Sequence, residues 1–342
     1  MKKNKVIIIL GPTASGKTSL AVKLSKKYNG EIISADSRQV FRGLNIGTGK
    51  DLKEYGDIKY HLIDIVELEE KFTMFDWLKL AREVIDNIIS RGKLPIVVGG
   101  TGLYIQALTQ GFELEKSQIS NLKSQIYTLK LKKYSREELE KISPFELQKI
   151  YLKLSNQASE APALWARSRL TGGSEANKLD IKNPHRLIRA IERTQSGQKM
   201  TKKKPKYQFL QIGISCPREE LIKRIDKRVD DRFEHEGMLE EVQGLIDAGV
   251  DTGWLIKLGL EYRIIGRYVL ENPKSKIQNP NKIPKSKKPE AESLKLFLDM
   301  RQELKTKIHQ FAKRQMTWFK RFLEIKWVNN QKEAEILLTK YL

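Results

Sequence analysis

The chain has 342 residues, 39% hydrophobic and 31% charged, which is enough apolar material for a sizeable core and too much charge for a protein embedded in a membrane. A single cysteine, Cys216, excludes a disulfide framework and a thiolate metal site, and no apolar run reaches the length of a bilayer span. Sixty-four Lys and Arg against 42 Asp and Glu leave a formal charge of +22, a balance that suits contact with nucleic acid, although a lysine-rich composition alone would produce part of it.

The first ten residues, MKKNKVIIIL, imitate a signal peptide, but the apolar run stops after five residues and enters a glycine-bearing turn. We read Val6–Leu10 as a first strand in a cytoplasmic protein. Gly11, Pro12, Thr13, Ala14, Ser15, Gly16, Lys17 and Thr18 fit G-x-x-x-x-G-K-[ST] without a mismatch. Such a loop folds backbone N–H groups into a nest at a helix N-terminus, adds the point charge of Lys17, and offers the Thr18 hydroxyl to Mg²⁺. It is a cradle for a diphosphate whose other substituent the loop does not specify. A helix is expected from Lys17 to Tyr28, and a strand over 31–35 that ends on Asp36 and Ser37. Asp36 reads equally as an acid on the ligand-binding rim of a parallel sheet and as a cap of the next helix.

Phe41–Asp51 is a second glycine-bearing stretch, too irregular for a dinucleotide fingerprint and compatible with a mobile loop. A strand is expected over Tyr60–Val66, whose Asp64 is an alternative magnesium ligand of the Walker B kind. Apolar spacing predicts a helix over Thr73–Arg91 with Thr73 as its cap and Gly92 as its stop, then a buried strand over Leu94–Val98. That strand runs into Gly99, Gly100, Thr101 and Gly102, which places further backbone donors on the same rim.

From 111 to 206 the composition turns helical, and we expect a mostly helical domain inserted between the P-loop core at 1–110 and a return to the core at 207–342. Within it, residues 180–197 form a helix with Arg186, Arg189 and Arg193 on one face, followed by a flexible basic loop through Lys206. A strand is expected over Tyr207–Ser215, and then a helix on which Arg224, Lys227, Arg228 and Arg232 alternate with Asp226, Asp230, Asp231 and Glu234 as an ion-paired surface. Residues 272–289 carry four prolines without periodicity and read as a linker or exposed loop. The last long helix, about 291–322, bears an apolar stripe from Phe297 to Phe322, with Lys313, Arg314, Lys320 and Arg321 beside Trp318 and Phe319. The mixture suits RNA and equally suits a helix packed by its aromatic face.

Taken in order, GPTASGKT at 11–18, SADSRQVFRGLNIGTGK at 34–50, GGTGLYIQAL at 99–108, NPHRLIRAIE at 183–192, RIDKRVDDRF at 224–233 and AKRQMTWF at 312–319 resemble the tRNA dimethylallyltransferase family. The resemblance implies an α/β fold, a P-loop NTPase-like parallel sheet flanked by helices with an inserted helical domain. It implies dimethylallyl diphosphate as donor, N6 of adenosine 37 in the tRNA anticodon stem-loop as acceptor, and diphosphate as leaving group. On that footing Asp36 is the general base, Thr101 touches donor and adenosine, Arg228 clamps the diphosphate held by residues 11–18, and Thr18 carries Mg²⁺. Ser37, Arg38 and Gln39, the run Ile188, Arg189, Ala190, Ile191 and Glu192, and Tyr262 with Arg263 match segments that contact tRNA. Two departures from the family pattern stand out. GLEYR at 259–263 replaces G-Y-[KR]-E, and RVDDRFEHEG is one residue longer than usual, which makes Arg232 a rival to Arg228. The absence of a eukaryotic C-terminal zinc finger leads us to expect the bacterial type, acting as a monomer. The competing readings are a P-loop kinase of a small metabolite with Asp64 on magnesium, an adenylate isopentenyltransferase, and an NTP-switched RNA-binding protein.

Overall fold

The computed structural model describes residues 4–116, 133–157, 183–196, 198–272 and 291–342. By contacts the chain divides into two compact units, one made of Met1–Gly111 with Lys204–Leu342 and the other of Phe112–Lys203.

The first unit begins with β1 (Lys5–Leu10), α1 (Lys17–Tyr28) and β2 (Gly30–Ser34), followed by β3 (Tyr60–His61), α2 (Met74–Ser90), β4 (Leu94–Gly99) and α3 (Gly102–Thr109). With β7 (Gln208–Ile214) and β8 (Lys326–Val328) from later in the chain, the strands of this unit form one six-stranded parallel sheet in the order β3-β2-β4-β1-β7-β8. Val6 through Leu10 are wholly buried, which is why the strand is a continuous apolar run rather than an alternating one. Ile7 and Ile9 face a cluster with Leu20 and Leu24 of α1 and with Ile96 and Ile212 of the flanking strands. Thr73 caps α2 as expected, and Asp76 completes a capping box with it.

The strand expected over Tyr60–Val66 is only two residues long. Leu62 and Asp64 adopt left-handed φ of 62° and 54°, which a strand cannot carry. Backbone bonds from Asp64 to Gln39 O and from Ile65 to Val40 O, 3.1 and 2.9 Å, fold the segment back on the Ser37–Phe41 turn. Glu31 on β2 is 1% exposed and receives Arg91, Lys93 (2.9 Å) and His61 (2.8 Å). Arg91 foremost, against the opposing effect of burial, holds its carboxyl well below the usual carboxylate range. A depressed folded pKa contributes stability that is complete above the ordinary value of 4.5 and is lost as the pH falls below it. Glu31→Gln therefore costs about 2 kcal/mol at neutral pH, and urea melts from pH 7 to 3 should show the gap to wild type closing on the acid side.

The second unit opens on β5 (Phe112–Lys116), continues through α4 (Arg136–Glu140), α5 (Pro144–Gln157) and α6 (Pro184–Ser196), and closes on β6 (Gln198–Lys202), antiparallel to β5. The basic loop expected after 197 is thus partly a strand, with Leu114 in register with Met200. Neither strand is apolar enough to announce itself alone. Leu139, Leu147, Leu154, Leu187, Ile188 and Ile191 make this unit's own core. Residues 122–132 and, apart from Asn272, the segment expected to be a linker at 272–289 lie outside the described residues.

The first unit resumes with β7 (Gln208–Ile214), α7 (Arg218–Asp231), a π turn over Arg232–Glu236, α8 (Met238–Asp247), α9 (Thr252–Leu258) and α10 (Leu260–Glu271). It ends with α11 (Ala291–Phe319), β8 (Lys326–Val328) and α12 (Gln331–Tyr341). Asp231 pairs with Lys227 on α7 itself, while two other acids of α7 and Glu234 of the π turn meet α11, whose bases run the opposite way. Asp226 meets His309 at 2.7 Å, Asp230 meets Lys305 at 2.7 Å, and Glu234 meets Arg301 at 3.2 Å. Helix α11 stops at Phe319, short of the expected 322, and its buried stripe is Phe297, Leu304, Ile308, Ala312, Gln315 and Phe319. No described helix is long and apolar enough to cross a membrane.

Candidate active site

Because every strand of the sheet is parallel, the carboxyl ends of β1, β2 and β4 lie on one rim, where such sheets bind ligands. A cavity of about 1030 Å³ opens there, lined by residues of the first unit from the phosphate loop, the 36–55 segment, the 99–103 turn and helices α7, α10 and α11.

The phosphate loop leads into α1 through Gly16, whose φ of 84° favours glycine. Thr13, Ala14, Gly16, Lys17 and Thr18 line the cavity, whereas Gly11, Pro12 and Ser15 are buried or turned from it. Lys17 Nζ reaches Pro12 O at 3.2 Å. Burial first, and then Arg228, bring its pKa down to about 8, with Asp36 and Glu54 pulling the other way. Arg228 donates to Thr13 Oγ1; burial first and Arg232 second work against its charge as well. Lys17 and Arg228, two cations that repel each other beside a loop of N–H groups, are prepared for a polyanion. Thr18 lines the cavity beside them, and its hydroxyl has no hydrogen-bond partner among the described residues.

Asp36 is positioned by backbone bonds that pin β2 to β4: Ala35 N donates to Val98 O at 2.7 Å and Thr101 N to Ala35 O at 3.2 Å. Its Oδ1 accepts from Arg38 N (2.9 Å) and Gln39 N (3.4 Å), so it caps a turn rather than a helix while its side chain lines the cavity. Of the two readings of Asp36 left open by the sequence, the rim position is the one found, and the cap it forms is on a turn and not on a helix. Ser37 N donates to Thr101 Oγ1 at 3.0 Å, which brings Asp36 and Thr101 together as the family pattern implies.

The Phe41–Asp51 stretch is not a loose loop. Lys50, 2% exposed, bonds Phe41 O at 2.7 Å and ion-pairs with Asp64, and Glu241 accepts from Asn45 N, Ile46 N and Gly47 N at 3.0, 2.7 and 3.1 Å. Asp64 is engaged by Lys50 and does not line the cavity, which removes the magnesium ligand that a kinase reading requires.

Several residues expected to touch tRNA are committed elsewhere. Ile188, Ala190 and Ile191 are buried in the second unit because they form the apolar face of α6; Glu192 pairs with Arg136 at 3.5 Å, and Arg189 alone of that run is exposed. Tyr262 is 2% exposed, donates its hydroxyl to Glu241 at 2.9 Å and so props the 45–47 turn, and like Gln39 it still lines the cavity. Gln39 donates to Gly49 O at 2.9 Å. Arg38 and Arg263 remain on the cavity wall. Glu261 shares that wall, and burial raises its pKa.

The sequence reading missed Gln315. Its Oε1 accepts from Thr13 N at 2.9 Å and its Nε2 donates to Gly100 O at 3.0 Å, tying the phosphate loop to the β4 turn from α11. The available signal was one amide on an apolar stripe within AKRQMTWF. Gln315→Leu strands two buried backbone groups and should cost about 2 kcal/mol, with a raised KM for the phosphate-bearing substrate. Thermal melts and initial rates check both.

Two family models match, IPP transferase over residues 39–322 and isopentenyl transferase over residues 4–57. The chain is 38% identical over 322 residues to a tRNA dimethylallyltransferase 2 of Shewanella sediminis, covering 94% of this chain and 90% of that one. The chain belongs to the tRNA dimethylallyltransferase (IPP transferase) family. Leuconostoc mesenteroides has a tRNA dimethylallyltransferase that is 41% identical over 249 residues, covering 72% of this chain and 74% of the relative. Among solved structures, a tRNA isopentenylpyrophosphate transferase of Staphylococcus epidermidis superposes with a TM-score of 0.62 at 30% identity, over 99% of this chain and 100% of that one. A eukaryotic dimethylallyltransferase described as acting on tRNA gives 0.64 at 26% identity, over 95% and 74%. The fold is therefore the P-loop NTPase-like sheet with an insertion, and the protein is a prenyl-transferring enzyme of tRNA modification.

Proposed function

We propose that the enzyme transfers a dimethylallyl group from dimethylallyl diphosphate to N6 of adenosine 37 in tRNA and releases diphosphate. The observation that carries this reading is the convergence, in one cavity, of Asp36 past the end of β2 with Lys17 of the phosphate loop and with Arg228 of α7, which donates to that loop. The N6 lone pair attacks the allylic C1, the C1–O bond breaks, and its electron pair passes to the diphosphate oxygen. An adenine amine is a poor nucleophile because its lone pair is delocalised, so Asp36 accepts its proton as the new bond forms. Lys17 and Arg228 stabilise the charge that grows on the leaving group. Leu103, Ile308, Phe311 and Trp318 supply the apolar wall that a five-carbon chain needs.

No group of three or more His, Cys, Asp or Glu able to hold a metal exists among the described residues. That fits Mg²⁺ held by one hydroxyl, Thr18, together with substrate phosphates, the usual way this ion is bound. When bound there it would neutralise diphosphate charge. The exposed Arg186, Arg189 and Arg193 of α6 are our candidates for tRNA phosphates, and the target base must leave its stack to reach Asp36. We assign the protein to the cytoplasm as a monomer.

The test is incubation with labelled dimethylallyl diphosphate, Mg²⁺ and unmodified tRNA, followed by digestion to nucleosides. Prenylated adenosine is expected. Label on free AMP alone, or ATP consumption without transfer, would overturn the reading.

A further inference from the structure

The two places where this chain departs from the family pattern, the lengthened RVDDRFEHEG segment and GLEYR, both contribute to the cavity wall, through Arg232 and Glu261. Arg232 is 2% exposed. Among the described residues its guanidinium forms no ion pair, and its Nε has no hydrogen-bond partner. A buried cation without an acceptor is costly, and buried polar groups in native proteins are otherwise satisfied. Glu261 and Asp51 line the same cavity, and neither forms an ion pair with Arg232 among the described residues.

Its position differs from that of Arg228. Arg228 donates to Thr13 on the phosphate loop. Arg232 lies one helical turn on, about 6 Å along the axis, where a Cβ on Gly49 would overlap its Nη2. Gly49 O is held by Gln39, whose own N–H is bonded to Asp36. Arg232 thus belongs to the Asp36 side of the cavity and Arg228 to the phosphate-loop side. A π turn begins at Arg232, a distortion that helices often carry at functional sites.

We propose that Arg232 is a substrate-binding residue for the acceptor strand, which takes a phosphodiester flanking the target adenosine, while Arg228 serves the donor diphosphate. The inference rests on the assignment of Asp36 to the acceptor. A nucleotide whose N6 reaches Asp36 carries a phosphodiester on each side of its sugar, and a guanidinium pairs with such an oxyanion through two N–H groups at once.

The experiment uses the full chain, an anticodon stem-loop RNA and labelled dimethylallyl diphosphate. Arg232→Gln should raise KM for the RNA about tenfold and leave KM for the donor within about twofold, whereas Arg228→Gln should do the reverse. Arg232→Lys should recover part of the loss. A methylphosphonate at one of the two phosphates flanking the adenosine should cost the wild type the same factor of about ten and cost Arg232→Gln nothing further. A donor KM that rises in place of the RNA KM would overturn the proposal, as would a methylphosphonate penalty that persists undiminished in the variant. If Arg232→Gln folds poorly, the wild-type series decides, because no loss at either flanking phosphate excludes the contact. Failure of the wild type to prenylate the RNA at all is a separate result and overturns the underlying functional reading.

Discussion

Asp36→Asn lowers the single-turnover rate of prenyl transfer by about a hundredfold or more, the range that a positioned general base contributes, while RNA affinity changes by less than about threefold. The asparagine keeps an oxygen where Asp36 Oδ1 accepts from Arg38 N and Gln39 N, so the turn survives and only basicity is lost. Asp36→Ala removes both, and should lose at least as much rate and also loosen the Ser37–Phe41 turn. Rates at saturating donor, set beside RNA retention on filters, separate the two effects. If affinity falls in step with rate in the asparagine variant, Asp36 is a structural residue and the base lies elsewhere on the rim.

What was legible from the sequence was whatever local chemistry dictates. Val6–Leu10 and Ile96–Val98 are buried on both faces of a parallel sheet and read as apolar runs. Thr73 and Asp76 write a helix start in four residues. The phosphate loop is recognisable because glycine, lysine and threonine each have one task at one spacing. The acids of α7 were also readable as an ion-paired face, although their partners, His309, Lys305 and Arg301 on α11, were not.

The remainder depends on contacts between distant parts of the chain. Lys50 looks like one lysine among many until Asp64, held at a left-handed φ, meets it below the surface. That single pair turns an irregular glycine-bearing stretch into a wall of the cavity and withdraws Asp64 from any magnesium role. Gln315 bonds Thr13 across 302 positions of sequence. The run Ile188–Glu192 shows the opposite error, since a motif match marks residues that recur together without saying which of them face out. Its isoleucines are part of the second unit's core, and only the arginine face is left for a ligand.

Lys17→Met should lower transfer by about two to three orders of magnitude, the effect of deleting one preorganised donor to a developing oxyanion. Lys17 lines the cavity beside Thr18 and Arg228, and it is buried enough that its ammonium faces little competition from water. Arg228 is held on the loop by its bond to Thr13 and keeps its own share of the charge stabilisation. Removing one of the mutually repelling cations also relieves strain in the empty site, so the variant should melt at or slightly above the wild-type temperature. A variant that is slower but no less stable identifies a group whose energy is realised only when the diphosphate departs. The split between kinetic constants gives the decisive reading. If kcat falls while the donor KM changes by less than about tenfold, Lys17 acts on the leaving group in the transition state. A rise in KM with kcat intact would make it a ground-state anchor, and the charge stabilisation would then have to come from Arg228 alone.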